Sequence, residues 1–180
     1  MNDKERIKES KTGHLYIAIR RSKENDEGKE LCFRQVIRDE EQDLDYIKHR
    51  IGGFPGVWRI YKTVNARDFS KAWKMVATKL IEDHDNWMYR VDSLWKTCLM
   101  KPECKAERKI LIDIDTKELS DDIKKLLMNL NEQGVIKYWV ETPNGTHIVS
   151  DKFDTRILEG IKDIEIKRDG YEFVDKITVR

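Results

Sequence analysis

Between Arg108 and Arg180 the apolar residues change period in an order that makes the succession of elements legible. Ile110-Leu111-Ile112-Asp113-Ile114-Asp115 is a short, almost continuous apolar run, the pattern of a buried strand. Ser120-Asp121-Asp122 then supplies a cap and an acidic first turn for a helix bearing Ile123, Leu126, Leu127 and Leu130, with Gly134 as its stop. Val135–Glu141 and Thr146–Val149 read as strands joined by Pro143-Asn144-Gly145, a turn sequence that favours a hairpin. A short helix near Asp154–Glu159 follows. Asp163–Lys167 and Tyr171–Val174 then alternate around Arg168-Asp169-Gly170 as a second hairpin, with Ile177–Arg180 extending the last strand. The succession β-α-β-β-α-β-β predicts an α+β fold with helices packed on one face of a mainly antiparallel sheet.

The first half is less regular. His14–Arg20 and Leu31–Ile37 read as strands flanking a charged Ser22–Gly28 loop, and Glu40–Arg50 as a helix stopped by Gly52. Val57–Thr63 alternates as a half-buried strand. Asp68 caps a helix whose apolar face holds Ala72, Trp73, Val76, Ala77, Leu80 and Ile81. The latter part of Asp83–Lys101 reads as helical. These elements predict an N-terminal αβ unit over 1–107 and a C-terminal core over 108–180, which together could form one compact domain.

Charge narrows the function classes. The 35 Lys and Arg nearly cancel the 34 Asp and Glu in 180 residues, so no bulk basic field marks the chain as a nucleic-acid coat or an anionic-membrane binder. No run approaches the roughly 18 apolar residues of a transmembrane helix, and Met1–Arg6 lacks the apolar core of a secretory signal. Cys32, Cys98 and Cys104 are odd in number and irregularly spaced, which suits free thiols in a reducing compartment. A cytoplasmic protein without a membrane is the expectation. Trp73 and Trp139 are read as core residues.

The chemistry-bearing residues lie in the second half. Asp113 and Asp115 stand two apart on a strand, hence on one face, and side-by-side carboxylates need a cation or a proton between them. Mg²⁺ or Mn²⁺ meets that demand, and the solvated alternative leaves both acids at a strand end with Ile112 and Ile114 facing the core. His147 follows Asn144-Gly145, where a backbone with no bulky side chain approaches a phosphate closely. The alternative is a turn followed by a histidine bonded to a neighbouring strand. In the first half, Trp58-Arg59-Ile60-Tyr61-Lys62 runs through Arg67 to the helix start at Asp68. Arg59, Lys62 and Arg67 are candidate phosphate contacts, with Trp58 or Tyr61 as a stacking surface, against the alternative of a half-buried strand with one wet face.

An apolar strand ending in Asp-x-Asp, followed by Gly145-Thr146-His147 in the place of a small-residue-x-His strand, resembles the catalytic core of the archaeo-eukaryotic primase superfamily. This superfamily includes primase-polymerases of DNA replication. The resemblance spans roughly Arg108–Arg180, has Gly where Ser is common, and allows a small phage-type or degenerate member. It implies an RRM-like core preceded by a smaller αβ unit. It further implies Asp113 and Asp115 as Mg²⁺ or Mn²⁺ ligands and His147 beside the phosphates of a nucleoside triphosphate; Asn144, read from the turn itself, is a further candidate phosphate contact. The third acid of the pattern falls on Asp175, in Val174-Asp175, or on Asp163. The implied activity is metal-dependent nucleotidyl transfer or nucleotide binding, with nucleic acid as a partner. The alternatives are a non-enzymatic α+β module that binds nucleic acid or protein, such as a phage-type accessory protein, and a metal-dependent nuclease using the same aspartates.

Overall fold

The computed structural model describes residues 11–25, 30–37 and 40–180, so part of the Ser22–Gly28 loop lies outside the described residues. The chain is α+β, with two antiparallel sheets. It divides into two units. The first comprises the chain up to Ile60, Ala66–Glu107 and Lys176–Arg180; the second comprises Tyr61–Asn65 and Arg108–Asp175. The stretch 61–65 thus joins the second unit and the last five residues the first, a chain exchange that local periodicity does not reveal.

In the first unit, β1 (Thr12–Arg20) pairs with β2 (Leu31–Ile37), and both Leu15↔Val36 and Ile17↔Arg34 lie in register. Then come α1 (Glu40–Ile51), β3 (Gly56–Thr63), the short β4 (Arg67–Asp68) and α2 (Phe69–Glu82). Helix α2 starts where the sequence places it, because the Asp68 side chain accepts from the Lys71 amide at 3.0 Å. The polar stretch after it holds the single turn α3 (His84–Trp87) and then α4 (Val91–Leu99). Phe69, Ala72 and Val76 of α2 close a core with Leu94, Cys98 and Leu99 of α4 and with Cys104. Cys98 and Cys104 are therefore buried free thiols, and the Cys104 sulfur lies 3.6 Å from Met75 Sδ.

The second unit contains β5 (Ile110–Ile114), α5 (Asp121–Glu132), β6 (Ile136–Glu141), β7 (Thr146–Ser150), a 3₁₀ turn at Thr155–Leu158 and β8 (Ile164–Lys167), and β9 (Tyr171–Val179) follows. The strand order β6-β7-β5-β8 is that of a split βαβ unit, the RRM-like arrangement, with the 3₁₀ turn standing where a second helix would cross. Ser120 caps α5 by accepting from the Ile123 amide, and Gly134 ends it with a left-handed φ of 70°. Strand alternation then sorts the two faces. Ile112, Ile114 and Ile148 pack with Leu127 and Leu130 of α5 and with Leu158. Leu111 and Val149 point the other way, against Val64.

Two expectations change. Arg168-Asp169-Gly170 does not close a hairpin, because β8 pairs with β5 whereas β9 leaves to pair with β3 in the other sheet. Trp73 and Trp139 are 58% and 46% exposed. The first meets Trp95 only edge-on, and the second lies on the edge strand β6. Among the described residues no helix is long and apolar enough to cross a membrane.

Candidate functional site

Asp113 sits opposite His147 on β7 and opposite Glu165 on β8, so three polar side chains share the sheet face that α5 leaves uncovered. The pairings follow from register alone. Ile112 and Ile114 must face α5 to bury their side chains, which turns Asp113 and its cross-strand partners to the opposite face. There Asp113 Oδ1 lies 3.2 Å from His147 Nε2, and Asp113 Oδ2 accepts from Lys167 Nζ at 2.6 Å. Lys167 also reaches Glu165 Oε2 at 2.9 Å. The far side of the imidazole is fixed as well, since the Phe173 amide donates to His147 Nδ1 at 2.8 Å. With Nδ1 accepting, the neutral ring carries its proton on Nε2 and donates it to Asp113.

This arrangement sets the charge of Asp113. Burial pushes its carboxyl up, but the hydrogen bonds from His147 and Lys167 together outweigh burial and hold it at about 2. Burial pulls the Lys167 ammonium down, and its bonds to Asp113 and Glu165 more than compensate, so it stays protonated over a wider range than an ordinary lysine. Asp113 and Lys167 are therefore a charged pair at neutral pH.

Gly145 explains how His147 is brought to this place. A β-carbon on Gly145 would lie 1.9 Å from the Ile114 carbonyl oxygen, so only glycine allows β7 to enter the sheet beside the end of β5. Thr142 secures the turn, its hydroxyl accepting from the Gly145 amide at 3.0 Å and its own amide donating to the Gly145 carbonyl at 2.9 Å. Asn144 is exposed at the tip of that turn.

Asp115 lies one residue past the end of β5 and is exposed, although its amide donates to the Asp163 carbonyl at 2.9 Å. Asp163 has a left-handed φ of 63°, and it meets Asp115 through its backbone carbonyl. Asp175 stands on β9, in the sheet that does not contain Asp113. Among the described residues, no three His, Cys, Asp or Glu side chains are already gathered as a metal-holding group. The acid that the sheet places directly opposite Asp113 is Glu165, which the sequence pattern passed over. Its alternation with Ile164 and Ile166 was visible, but its neighbour on β5 depends on a pairing across about fifty residues of chain.

The cations of the first half do not form a solvent-facing strip. Arg59 is buried and grips Glu24, with Nε 2.9 Å from Oε2 and a second contact to Oε1, which holds the Glu24 carboxyl below its usual range. Arg67 is 1% exposed and lies in the first unit with Arg59, whereas Lys62 belongs to the second and approaches the buried Glu172 at 3.5 Å. Trp58 is fully buried and donates its indole N–H to the Phe54 carbonyl, so it offers no stacking face. Tyr61 packs edge-on against Phe173. No protein-family model, curated protein or solved structure matches this chain.

Proposed function

We propose that the second unit is a nucleoside-triphosphate-binding domain of primase-polymerase type that carries out metal-dependent nucleotidyl transfer, with nucleic acid as its acceptor. The observation that carries the reading is the in-register pairing of Asp113 with His147 on the face of a split βαβ sheet that turns away from α5. The donor set suits a hard divalent ion. Asp113, Asp115 and Glu165 would supply oxygen ligands near one end of the β5–β8 pair, and Mg²⁺ or Mn²⁺ usually takes one or two carboxylates and leaves its other positions to water and phosphate. When bound, such an ion supplies charge neutralisation and a clamp on phosphoryl oxygens.

The chain's own residues define the rest of the work. Asp113 is held ionised, and His147 positions it, because both ring nitrogens are already committed. Asp115 is the more accessible carboxylate and provides the second ligand. Asn144, exposed in the turn beside Gly145, offers an amide to a phosphate. The buried free thiols Cys98 and Cys104 support a cytoplasmic setting.

A second reading, a non-catalytic binding module, is favoured by one observation: Lys167 already neutralises Asp113. Thermal denaturation with Mn²⁺ and a nucleoside triphosphate separates the two. Saturation to about a hundred times the dissociation constant stabilises by about 2.7 kcal/mol, a rise of roughly 5–10 °C for a chain of this size. The proposal expects that rise in the wild type and its loss in D113N. No shift with either ligand contradicts it.

A further inference from the structure

We propose that Lys167 is an internal cation that competes with divalent metal for Asp113, so that loading this site is an exchange of one cation for another. The inference rests on the metal-site reading above. Lys167 holds the same carboxylate edge that an incoming ion needs, 2.6 Å from Asp113 Oδ2, while Glu165 braces it from the other side at 2.9 Å. The Asp113 side chain is not at liberty to turn a fresh oxygen outward. Its Oδ1 accepts from His147, and His147 is itself pinned by the Phe173 amide.

Mobility and exposure differ between the two partners. The Asp113 side chain is 12% exposed and fixed at both oxygens, whereas Lys167 is 33% exposed on a flexible four-carbon stem and Glu165 is 66% exposed. The lysine is thus the partner that yields. While it remains, a divalent ion at Asp113 meets a positive charge at close range in a partly desolvated setting, where charge–charge terms are larger than in water. The arrangement keeps Asp113 compensated in the empty protein, so no unpaired carboxylate is stored on the sheet face.

The test measures metal binding without reference to activity. Mn²⁺ is titrated into wild-type protein, K167M, K167R and D113N, with free Mn²⁺ followed by its electron paramagnetic resonance signal. K167M is expected to bind Mn²⁺ at least about tenfold more tightly than wild type, K167R to bind no more tightly than wild type, and D113N to lose the site. Equal affinity in wild type and K167M, with loss in D113N, overturns the competition while leaving the metal site standing. Absence of binding in every protein overturns both. Should K167M not fold, the side-chain ammonium resonance of ¹⁵N-labelled wild-type Lys167 gives the same answer. Saturating Mg²⁺ is expected to abolish or move that resonance, and an unchanged signal while Mg²⁺ binds rejects the exchange.

Discussion

Replacing Gly145 by alanine is expected to cost about 3 kcal/mol or more, a far larger loss than the same change at Gly53. The added methyl would lie 1.9 Å from the Ile114 carbonyl oxygen, 2.9 Å from its carbon and 3.0 Å from the Thr116 amide nitrogen. All three are backbone atoms, which cannot swing aside as a side chain does, so β5 and β7 must part where Asp113 and His147 meet. Gly53 provides the control, since its β-carbon would touch nothing within 4 Å and its backbone is not left-handed. Thermal melts of G145A and G53A check this directly: a large drop for the first and a change within about 0.5 kcal/mol for the second are expected. Equal melting temperatures would show that the close approach does not govern the sheet. Serine at this position would meet the same carbonyl.

Removing the Asp113 carboxylate is expected to cost about 3 kcal/mol at pH 7, because D113A leaves the buried His147 Nε2–H without its acceptor and Lys167 with Glu165 alone. The pH dependence supplies an independent reading of the same group. The Asp113 carboxyl is lowered from 3.8 to about 2 on folding, so its stabilising contribution is complete above about pH 5 and is lost as the pH falls through about 2. That displacement corresponds to about 2 kcal/mol, and it describes the same His147 and Lys167 contacts as the mutational loss, so the two are not summed. Denaturant unfolding of wild type and D113N between pH 5 and pH 2 is expected to show the wild type losing about 2 kcal/mol more than the variant. Parallel pH profiles would mean that the ion pair does not form in solution.

What the sequence discloses follows the range of the interactions. Elements set by neighbouring residues are legible: the Asp68 and Ser120 caps, the Gly134 stop and the apolar run of β5 all stand where local chemistry puts them. Asp113 and His147 are also legible as a pair, because a single hairpin and one crossover suffice to set their strands side by side. Lys167 and Glu165 are not, since their role arises only when β8 pairs with β5 instead of turning back onto β9. The basic residues between Arg59 and Arg67 mislead for the opposite reason. Their spacing suggests a shared surface, yet Arg59 is spent on Glu24, Arg67 is buried, and Lys62 falls in the other unit. A charged residue on a strand carries no local mark of the partner that burial will assign it.

Whether Asp113 anchors a divalent-metal and triphosphate site is decided by a crystal structure of the protein with Mn²⁺ and a non-hydrolysable nucleoside triphosphate, read at the manganese absorption edge. An anomalous peak is expected, bonded to an Asp113 carboxylate oxygen at roughly 2 Å and shared with Asp115 or Glu165 and with a phosphate oxygen. An Asp113 that still holds only His147 and Lys167 under saturating Mn²⁺ and nucleotide would contradict it.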